Sequence, residues 1–272
     1  MNPFDVIATD LDGTFLTDEK KVPALNAQAV REAAERGIHT IYASGRPVRW
    51  FHVLDDLADT HGFAVAANGA VTLDLASGEV LHARLLAPDV TSEVAGEIRW
   101  LLPHAWFAVE YLSQWGAEPA SSGLAEVPHL NAPLDELLGR EPMIKLLVVD
   151  PTTPTDELAA AVGEVVSGRL TVTFSHVSAA GMLELSAPGV SKALALRELL
   201  TDLRSDPSRM IAFGDMPNDI AMLELAGLPF TMSRAHQSLL AACYPVADDN
   251  NDAGVGRTIL RLLSERADGR AS

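Results

Sequence analysis

The chain has 272 residues, 48% hydrophobic and 21% charged, which supplies a sizeable core in one or two domains and excludes a disordered polypeptide. Its formal net charge of −17 argues against nucleic acid or an anionic membrane as a partner, because both call for a basic face that displaces counterions. A single cysteine, Cys243, excludes an intrachain disulfide and a cysteine-based metal site; with no basic-then-apolar leader and no membrane-length apolar run, a cytoplasmic address is expected.

Val6-Ile7-Ala8-Thr9 is a short β-branched and small apolar run that empties into Asp10-Leu11-Asp12-Gly13-Thr14. It predicts a strand buried on both faces, as in a parallel sheet covered by helices. Ligands of such sheets bind beyond the carboxyl ends of the strands, so Asp10 and Asp12 would stand at the mouth of a crevice. Two carboxylates there invite a hard cation or a split into nucleophile and acid/base. A polar turn is the plain alternative.

Apolar spacing predicts a helix over 23–36, with Gly37 as its C-terminal cap. A second buried strand follows over 38–43 and runs into Ser44-Gly45-Arg46-Pro47, the proline suiting the first turn of another helix. A third strand over 63–67 ends in Asn68-Gly69, a tight-turn dipeptide leading into 70–75, and Ser77-Gly78 turns the chain again. The rhythm then becomes irregular. A helix over 89–101 is followed by 105–111 and by a Pro-, Gly- and Ser-rich stretch of little periodicity up to Pro142. Strands are expected at 143–149, 170–174 and 182–185, with a helix over 155–166. Strands that alternate rather than run wholly apolar suggest an α+β module over 84–185 whose sheet has one open face.

From Ser191 the βα rhythm returns, with a helix to Leu203, a buried strand at 210–213, and Gly214-Asp215-Met216-Pro217-Asn218-Asp219 opening a helix through Ala226. Elements at 228–232, 235–242, 244–246 and 255–263 complete the chain, and the polar end after Ala267 should fray. Asp10 with Asp12, Ser44, Lys192, and Asp215 with Asn218 and Asp219 would converge on one edge of a doubly wound sheet. Carboxylates gathered there suit magnesium, which bridges to phosphate oxygens. The eight histidines show no metal-binding pair, and no dinucleotide or Walker loop is present. Of the four lysines among 20 basic residues, Lys145 lies on an expected strand of the inserted module; it is read as a solvated lysine, with reach to an anionic substrate as the alternative. Trp106, Tyr111 and Trp115 are read as packing there, with a pocket-lining role as the alternative.

Asp10-Leu11-Asp12-Gly13-Thr14, Ser44-Gly45-Arg46, Lys192 and Gly214-Asp215-Met216-Pro217-Asn218-Asp219 resemble the four ordered motifs of haloacid dehalogenase-like phosphatases. The insertion between the second and third motifs resembles the Cof-type group, with a class IIB cap, that acts on sugar phosphates and phosphorylated cofactors. Asn68-Gly69-Ala70 and Asp252-Ala253-Gly254-Val255 extend the likeness over nearly the whole chain. It implies an α/β fold: a Rossmann-like, doubly wound parallel sheet formed by 1–83 and 186–272, with an inserted α+β cap at 84–185.

The resemblance implies that Asp10 attacks phosphorus to give an aspartyl phosphate. Asp12 would protonate the leaving oxygen and then deprotonate water, a task for a carboxylate that exchanges its proton near neutral pH. Mg2+ would be held by the Asp10 carboxylate, the Asp12 carbonyl and Asp215, with Asp219 in or beside that set. Ser44 would donate to a phosphate oxygen and Lys192 would offset shared negative charge, while amides at Gly13, Gly45 and Arg46 could add donors. Relatives commonly carry Thr at the Ser44 position, and the hydroxyl is retained. Asn68 and Asn218 are substrate-side candidates, although Asn68 could serve only its turn and Arg46 only a surface ion pair. The expected partner is a small phosphorylated metabolite. A phosphomutase or a non-catalytic phosphometabolite-binding protein would use the same residues, and oligomeric state is not readable from the chain.

Overall fold

The computed structural model describes residues 2–119, 127–175 and 177–267. The expected fraying after Ala267 lies outside these, as does part of the aperiodic stretch before Pro142. In chain order, β1 (Val6–Thr9) leads to α1 (Ala24–Glu35), which buries Asn26, Ala29, Val30 and Ala33. Gly37 follows it at φ +73°, the left-handed conformation that ends helices. After β2 (His39–Ala43), the helix expected behind Pro47 forms as 3-10 turns over Val48–Thr60. The reason is its period: Phe51, Leu54, Leu57 and Thr60 are the buried residues, spaced by three, and three residues per turn put them on one edge.

β3 (Gly62–Ala66) and β4 (Val71–Asp74) form the expected hairpin, but its turn is longer than two residues, and Ala67 and Asn68 both adopt positive φ. β5 (Val80–Ala83) adds an edge. Then come α2 (Pro88–Leu101), β6 (Trp106–Tyr111), β7 (Trp115–Ala117), β8 (Leu130–Asn131), α3 (Leu134–Leu137), β9 (Met143–Asp150), α4 (Thr155–Val166), β10 (Thr171–Thr173) and β11 (Gly181–Ser186). The final run comprises α5 (Lys192–Asp202), β12 (Met210–Gly214), α6 (Ile220–Leu225), β13 (Leu228–Met232), α7 (Gln237–Ala241), β14 (Val246–Ala247) and α8 (Gly254–Ala267).

Two sheets result. The first has the order β14-β13-β12-β1-β2-β3-β4-β5, parallel from β14 to β3 and antiparallel beyond. Alternate residues of its central strands serve opposite faces. Ile7, Ile211 and Phe213 pack with Ala29 and Val30 of α1 and Val255 and Ile259 of α8. Val6, Ala8 and Ala212 pack with Leu196 and Leu199 of α5 and Met222 of α6. The sheet is thus doubly wound. From β1 the chain winds outward through β2 and β3 on one side and returns as β12 through β14 on the other, so strand order reverses beside β1. That is the switch point where open α/β sheets bind ligands.

The second sheet, β10-β11-β9-β6-β7-β8, lies between two crossings of the chain. Arg84 still bonds to Ala70 and Leu86 already bonds to Met143, while Ser186 ends β11 and Ala187 packs in the first sheet's core. Helices α2 and α4 cover one face of this sheet through Val94, Ile98, Leu158 and Val162, packed on Phe107, Val109, Leu146 and Leu183. Tyr111 belongs to that core and its hydroxyl donates to the Leu137 carbonyl at 2.7 Å. Trp106 and Trp115 are buried on the opposite face with Ala108 and Ala117.

Buried Asn26 ties α1 to the loop after β1. Its amide donates to the Phe15 carbonyl at 2.7 Å and its oxygen accepts the Gly256 N–H at 2.7 Å. Asn26→Leu removes both bonds and leaves two buried main-chain groups unpaired. The expected loss is about 2–4 kcal/mol of unfolding free energy, read as a fall in urea midpoint at constant slope.

Candidate active site

The site begins where β1 ends. Asp10 is buried, its N–H paired with the Phe213 carbonyl of β12 at 2.9 Å. The chain then folds back tightly, with the Phe15 N–H on the Asp10 carbonyl and the Leu16 N–H on the Leu11 carbonyl. Gly13 permits this at φ +81°, and any Cβ there would sit 2.4 Å from an Asp215 carboxylate oxygen. Thr14, fully buried, donates its hydroxyl to Asp215 Oδ1 at 2.7 Å. Asn250 holds the far side of the loop by donating to the Leu16 carbonyl at 2.9 Å.

Beyond β12, Asp219 is fully buried and both its oxygens are engaged. Oδ2 accepts the N–H groups of Asp215 and Met216 at 3.0 Å each, which fixes the turn after Gly214. Oδ1 accepts Lys192 Nζ at 2.6 Å, and the same ammonium donates to Asp10 Oδ1 at 2.5 Å. Lys192 opens α5 behind the N-cap Ser191, whose hydroxyl accepts the Leu194 N–H at 3.1 Å. Gly69 lets the β3–β4 turn close on this helix start, since a Cβ there would meet the Ser191 carbonyl at 2.3 Å.

One carboxylate oxygen each from Asp10, Asp215 and Asp219 lie within 4.8 Å of one another. Burial raises the Asp10 pKa well above the ordinary aspartate value; Lys192 opposes this, and Asp219, Asp215 and Asp12 add to it. Asp215 is pushed up to about 7, first by burial and then by Asp219, against the Thr14 hydrogen bond and Lys192. Burial disfavours charge on Lys192, yet Asp10 and Asp219 outweigh it and hold the ammonium protonated. One lysine cannot neutralise three carboxylates, two of them buried and the third half-buried. The set is all oxygen and short of positive charge, the donor chemistry of a hard divalent cation.

Asp12 stands differently. Arg46 grips it with two bonds, Nε to Oδ2 at 2.6 Å and Nη2 to Oδ1 at 2.8 Å, and Lys20 approaches Oδ1 at 2.7 Å. Burial acts to raise its pKa, but the hydrogen bonds and charges of Arg46 and Lys20 outweigh it and leave the group below the ordinary aspartate range. This departs from the expectation of a carboxylate poised near neutral pH, and the two cations are the physical reason. Arg46 therefore pairs with a carboxylate of the site itself.

Ser44 and Asn68 follow β2 and β3. Ser44 is buried, its Oγ accepting the Arg46 N–H at 3.2 Å and its carbonyl accepting the Asn68 N–H at 3.0 Å. Asn68, at φ +57°, serves its turn and also points its amide across to the second sheet. It donates to Thr173 Oγ1 at 2.9 Å and to Glu184, and accepts from Asn218 Nδ2 at 2.9 Å. Lys145 donates to the Gly45 carbonyl at 2.6 Å and pairs with Glu184 at 3.2 Å. Arg49 makes a two-bond pair with Glu110.

The site thus unites Asp10, Asp12, Gly13, Ser44, Gly45, Arg46, Asn68, Lys192, Asp215, Asn218 and Asp219 at one sheet edge. Sequence reasoning gave no role to Thr14, Lys20, Glu110, Thr173, Ser175 or Glu184. Thr14 stood inside a quoted motif, and the scarcity of lysine pointed at Lys20; nothing local marked the others.

Known proteins similar to this chain identify its family and fold. A family model described as haloacid dehalogenase-like hydrolase matches residues 7–259. The chain is 27% identical over 288 residues to the 5-amino-6-(5-phospho-D-ribitylamino)uracil phosphatase YwtE of Bacillus subtilis, covering 95% of this chain and 98% of that protein. Among solved structures, SMU.1108c of Streptococcus mutans superposes with a TM-score of 0.83 at 25% identity, over 96% of this chain and 99% of that one. The subclass IIB sugar phosphatase BT4131 shares the fold at a TM-score of 0.80 and 18% identity, over 94% of this chain and 98% of that one. The chain belongs to the haloacid dehalogenase-like hydrolases.

Proposed function

We propose that the protein is a Mg2+-dependent phosphatase that hydrolyses a small phosphate monoester, a sugar phosphate or phosphorylated cofactor, through an aspartyl phosphate on Asp10. The observation that carries this is the Asp10–Lys192–Asp219 bridge beside Asp215, with Ser44 and Asp12 at the same strand edge. Residues 1–83 and 186–272 act as the catalytic core and 84–185 as the cap over it. A single exposed thiol and a strongly acidic chain suit work on a small metabolite in the cytoplasm rather than on nucleic acid or membrane. Among the described residues no helix is long and apolar enough to cross a membrane.

Asp10 offers one carboxylate oxygen to phosphorus while its other is held by Lys192. As the P–O bond to the leaving group breaks, Asp12 gives that oxygen a proton, and it later takes one from the water that cleaves the acyl phosphate. Asp12 reaches its protonated state only when Arg46 and Lys20 loosen. An arriving phosphate dianion supplies a second anion for both cations to serve, which weakens their hold on the carboxylate. Ser44 Oγ and the amides at Gly13, Gly45 and Arg46 are donors for the phosphate oxygens. Asp10, the Asp12 carbonyl and Asp215 would hold Mg2+, which when bound supplies the positive charge that Lys192 alone cannot. Asp219 fixes Lys192 and the turn that presents Asp215. The amides of Asn68 and Asn218, the substrate-side candidates, suit the hydroxyls of a sugar or polyol.

Asp10→Asn should reduce phosphate release to background, and Asp12→Asn should cost about 10²–10⁴-fold in kcat. In heavy-oxygen water the label should enter inorganic phosphate, which a mutase would not do. Wild-type turnover by Asp10→Asn would overturn the reading.

The metal assignment has its own test. The folded chain holds a proton on Asp215 up to about pH 7, whereas the unfolded chain releases it near 3.8. Between those values the folded state binds more protons, so this group's contribution to stability falls as pH rises. Mg2+ should therefore raise Tm more at about pH 7.5 than at about pH 5, since protons must leave before the cation binds. Metal-free Asp215→Asn should melt above metal-free wild type at the higher pH and gain little from Mg2+. Calorimetry that finds equal Mg2+ gains at both pH values would sink this assignment.

A further inference from the structure

The face of the second sheet turned away from α2 and α4 carries charge where packing alone would call for apolar side chains. Glu110 lies opposite Lys145, Leu147 opposite Glu184, and Glu184 opposite Thr173, so cross-strand register puts all of them on one face. Lys145 and Glu184 are only 2% and 6% exposed. A buried ion pair seldom adds stability over an apolar pair of similar volume, because removing both charges from water costs about what their attraction returns. Its better use is to fix a register. Here the pair fixes the second sheet against the loops of the first.

The contacts are with main chain as much as side chain. Lys145 Nζ grips the Gly45 carbonyl at 2.6 Å. That carbonyl and the Arg46 N–H belong to one planar peptide unit, so holding the oxygen also aims the N–H, which lies on Ser44 Oγ at 3.2 Å. Glu184 accepts from Asn68, from Ser175 Oγ at 3.3 Å and from Lys145, and Asn68 in turn accepts from Asn218. The loops after β2, β3 and β12 therefore meet on two side chains of the second sheet. Gly45 makes the seat possible, since a Cβ there would stand 2.3 Å from Ser175 Oγ.

Resting on the phosphatase reading above, we propose that Lys145 and Glu184 are positioning residues that couple seating of the cap to the geometry of the phosphate-binding loops. With the cap seated, the Gly45–Arg46 peptide is held and Ser44 and the Arg46 amide are aimed. With the cap lifted, that peptide loses its anchor and Asn68 loses Glu184. Phosphoryl transfer is then favoured only when the cap excludes bulk water.

The test compares wild type, Lys145→Met, Glu184→Gln, the double variant and Asp10→Asn, with p-nitrophenyl phosphate and Mg2+. Misaimed donors act on the transition state more than on binding, so Lys145→Met should lower kcat by about tenfold to a hundredfold with KM little changed. The double variant should cost less than the product of the two singles, because both act through one seam. It leaves no unpaired buried charge, so its Tm should stay near wild type while small-angle scattering shows a larger radius of gyration. Wild-type kcat in Lys145→Met, with Asp10→Asn inactive, overturns the coupling and leaves the phosphatase reading standing. Loss of kcat that tracks loss of Tm, with multiplicative singles, also overturns it by making the role merely structural. Activity retained by Asp10→Asn overturns the phosphatase reading itself, and an unchanged radius of gyration in the double variant then overturns the seating as well.

Discussion

The site depends on one ammonium group. Lys192 is fully buried between Asp10 and Asp219, and without it the first turn of α5 would face two carboxylates in a place with no water to screen them. Each partner does further work because of that pairing. Asp219 uses its other oxygen to hold the turn after β12, and Asp10 keeps one oxygen aimed by the lysine while its main chain is tied to β12. The carboxyl ends of β1 and β12 are thus joined to the start of α5 by charge.

This joining requires backbones to approach closely. Gly13, Gly69 and Gly214 each sit where a Cβ would overlap an aspartate or the main chain before Lys192. These positions leave no room for a side chain, and the left-handed conformations of Gly13 and Gly69 would be strained for any other residue. Thr14 then ties the first loop to Asp215, and Asn26 and Asn250 tie it to α1 and the strand-order edge behind it. The acidic cluster is assembled by hydrogen bonds that leave each carboxylate aimed, while its deficit of positive charge is left for a cation to fill.

Much of this was legible in the chain because it is local. β1, β2 and β12 are short apolar runs that end in chemically distinctive turns, and a parallel sheet dictates that such ends share an edge. The 3-10 form of Val48–Thr60 is not legible, because a proline suited to a first turn announces a helix without fixing its period. The cap's contribution was illegible for a different reason. Glu184 lies 116 residues from Asn68, and nothing near it distinguishes a strand glutamate facing solvent from one facing another domain's loop. The rarity of lysine singles out Lys145, but its sequence favours a solvated side chain over a substrate contact; its partners are a main-chain carbonyl and a glutamate, both of which tertiary packing alone supplies. The second cation on Asp12, Lys20, stands at φ +62°, a conformation that its sequence does not demand.

Asp10 and Asp12 are separated only by Leu11 and have opposite electrostatic surroundings. Asp10 is buried among carboxylates that raise its pKa; Asp12 is held by two cations that lower its own. Environments that push two carboxyl groups apart are how one site divides a reaction between them. On the proposed phosphatase reading the nucleophile must be ionised and the acid protonated, the reverse of what these surroundings favour without ligand. On that reading both corrections would come from charge that arrives with the reactants: a divalent cation would lower the Asp10 pKa, and a phosphate dianion would draw Arg46 and Lys20 off Asp12. Arg46 joins this exchange to the cap, for its amide belongs to the peptide that Lys145 grips and its guanidinium is the clamp on Asp12. On the proposed reading, the second sheet's contact at Gly45 is therefore one peptide removed from the residue that would decide when the acid can hold its proton.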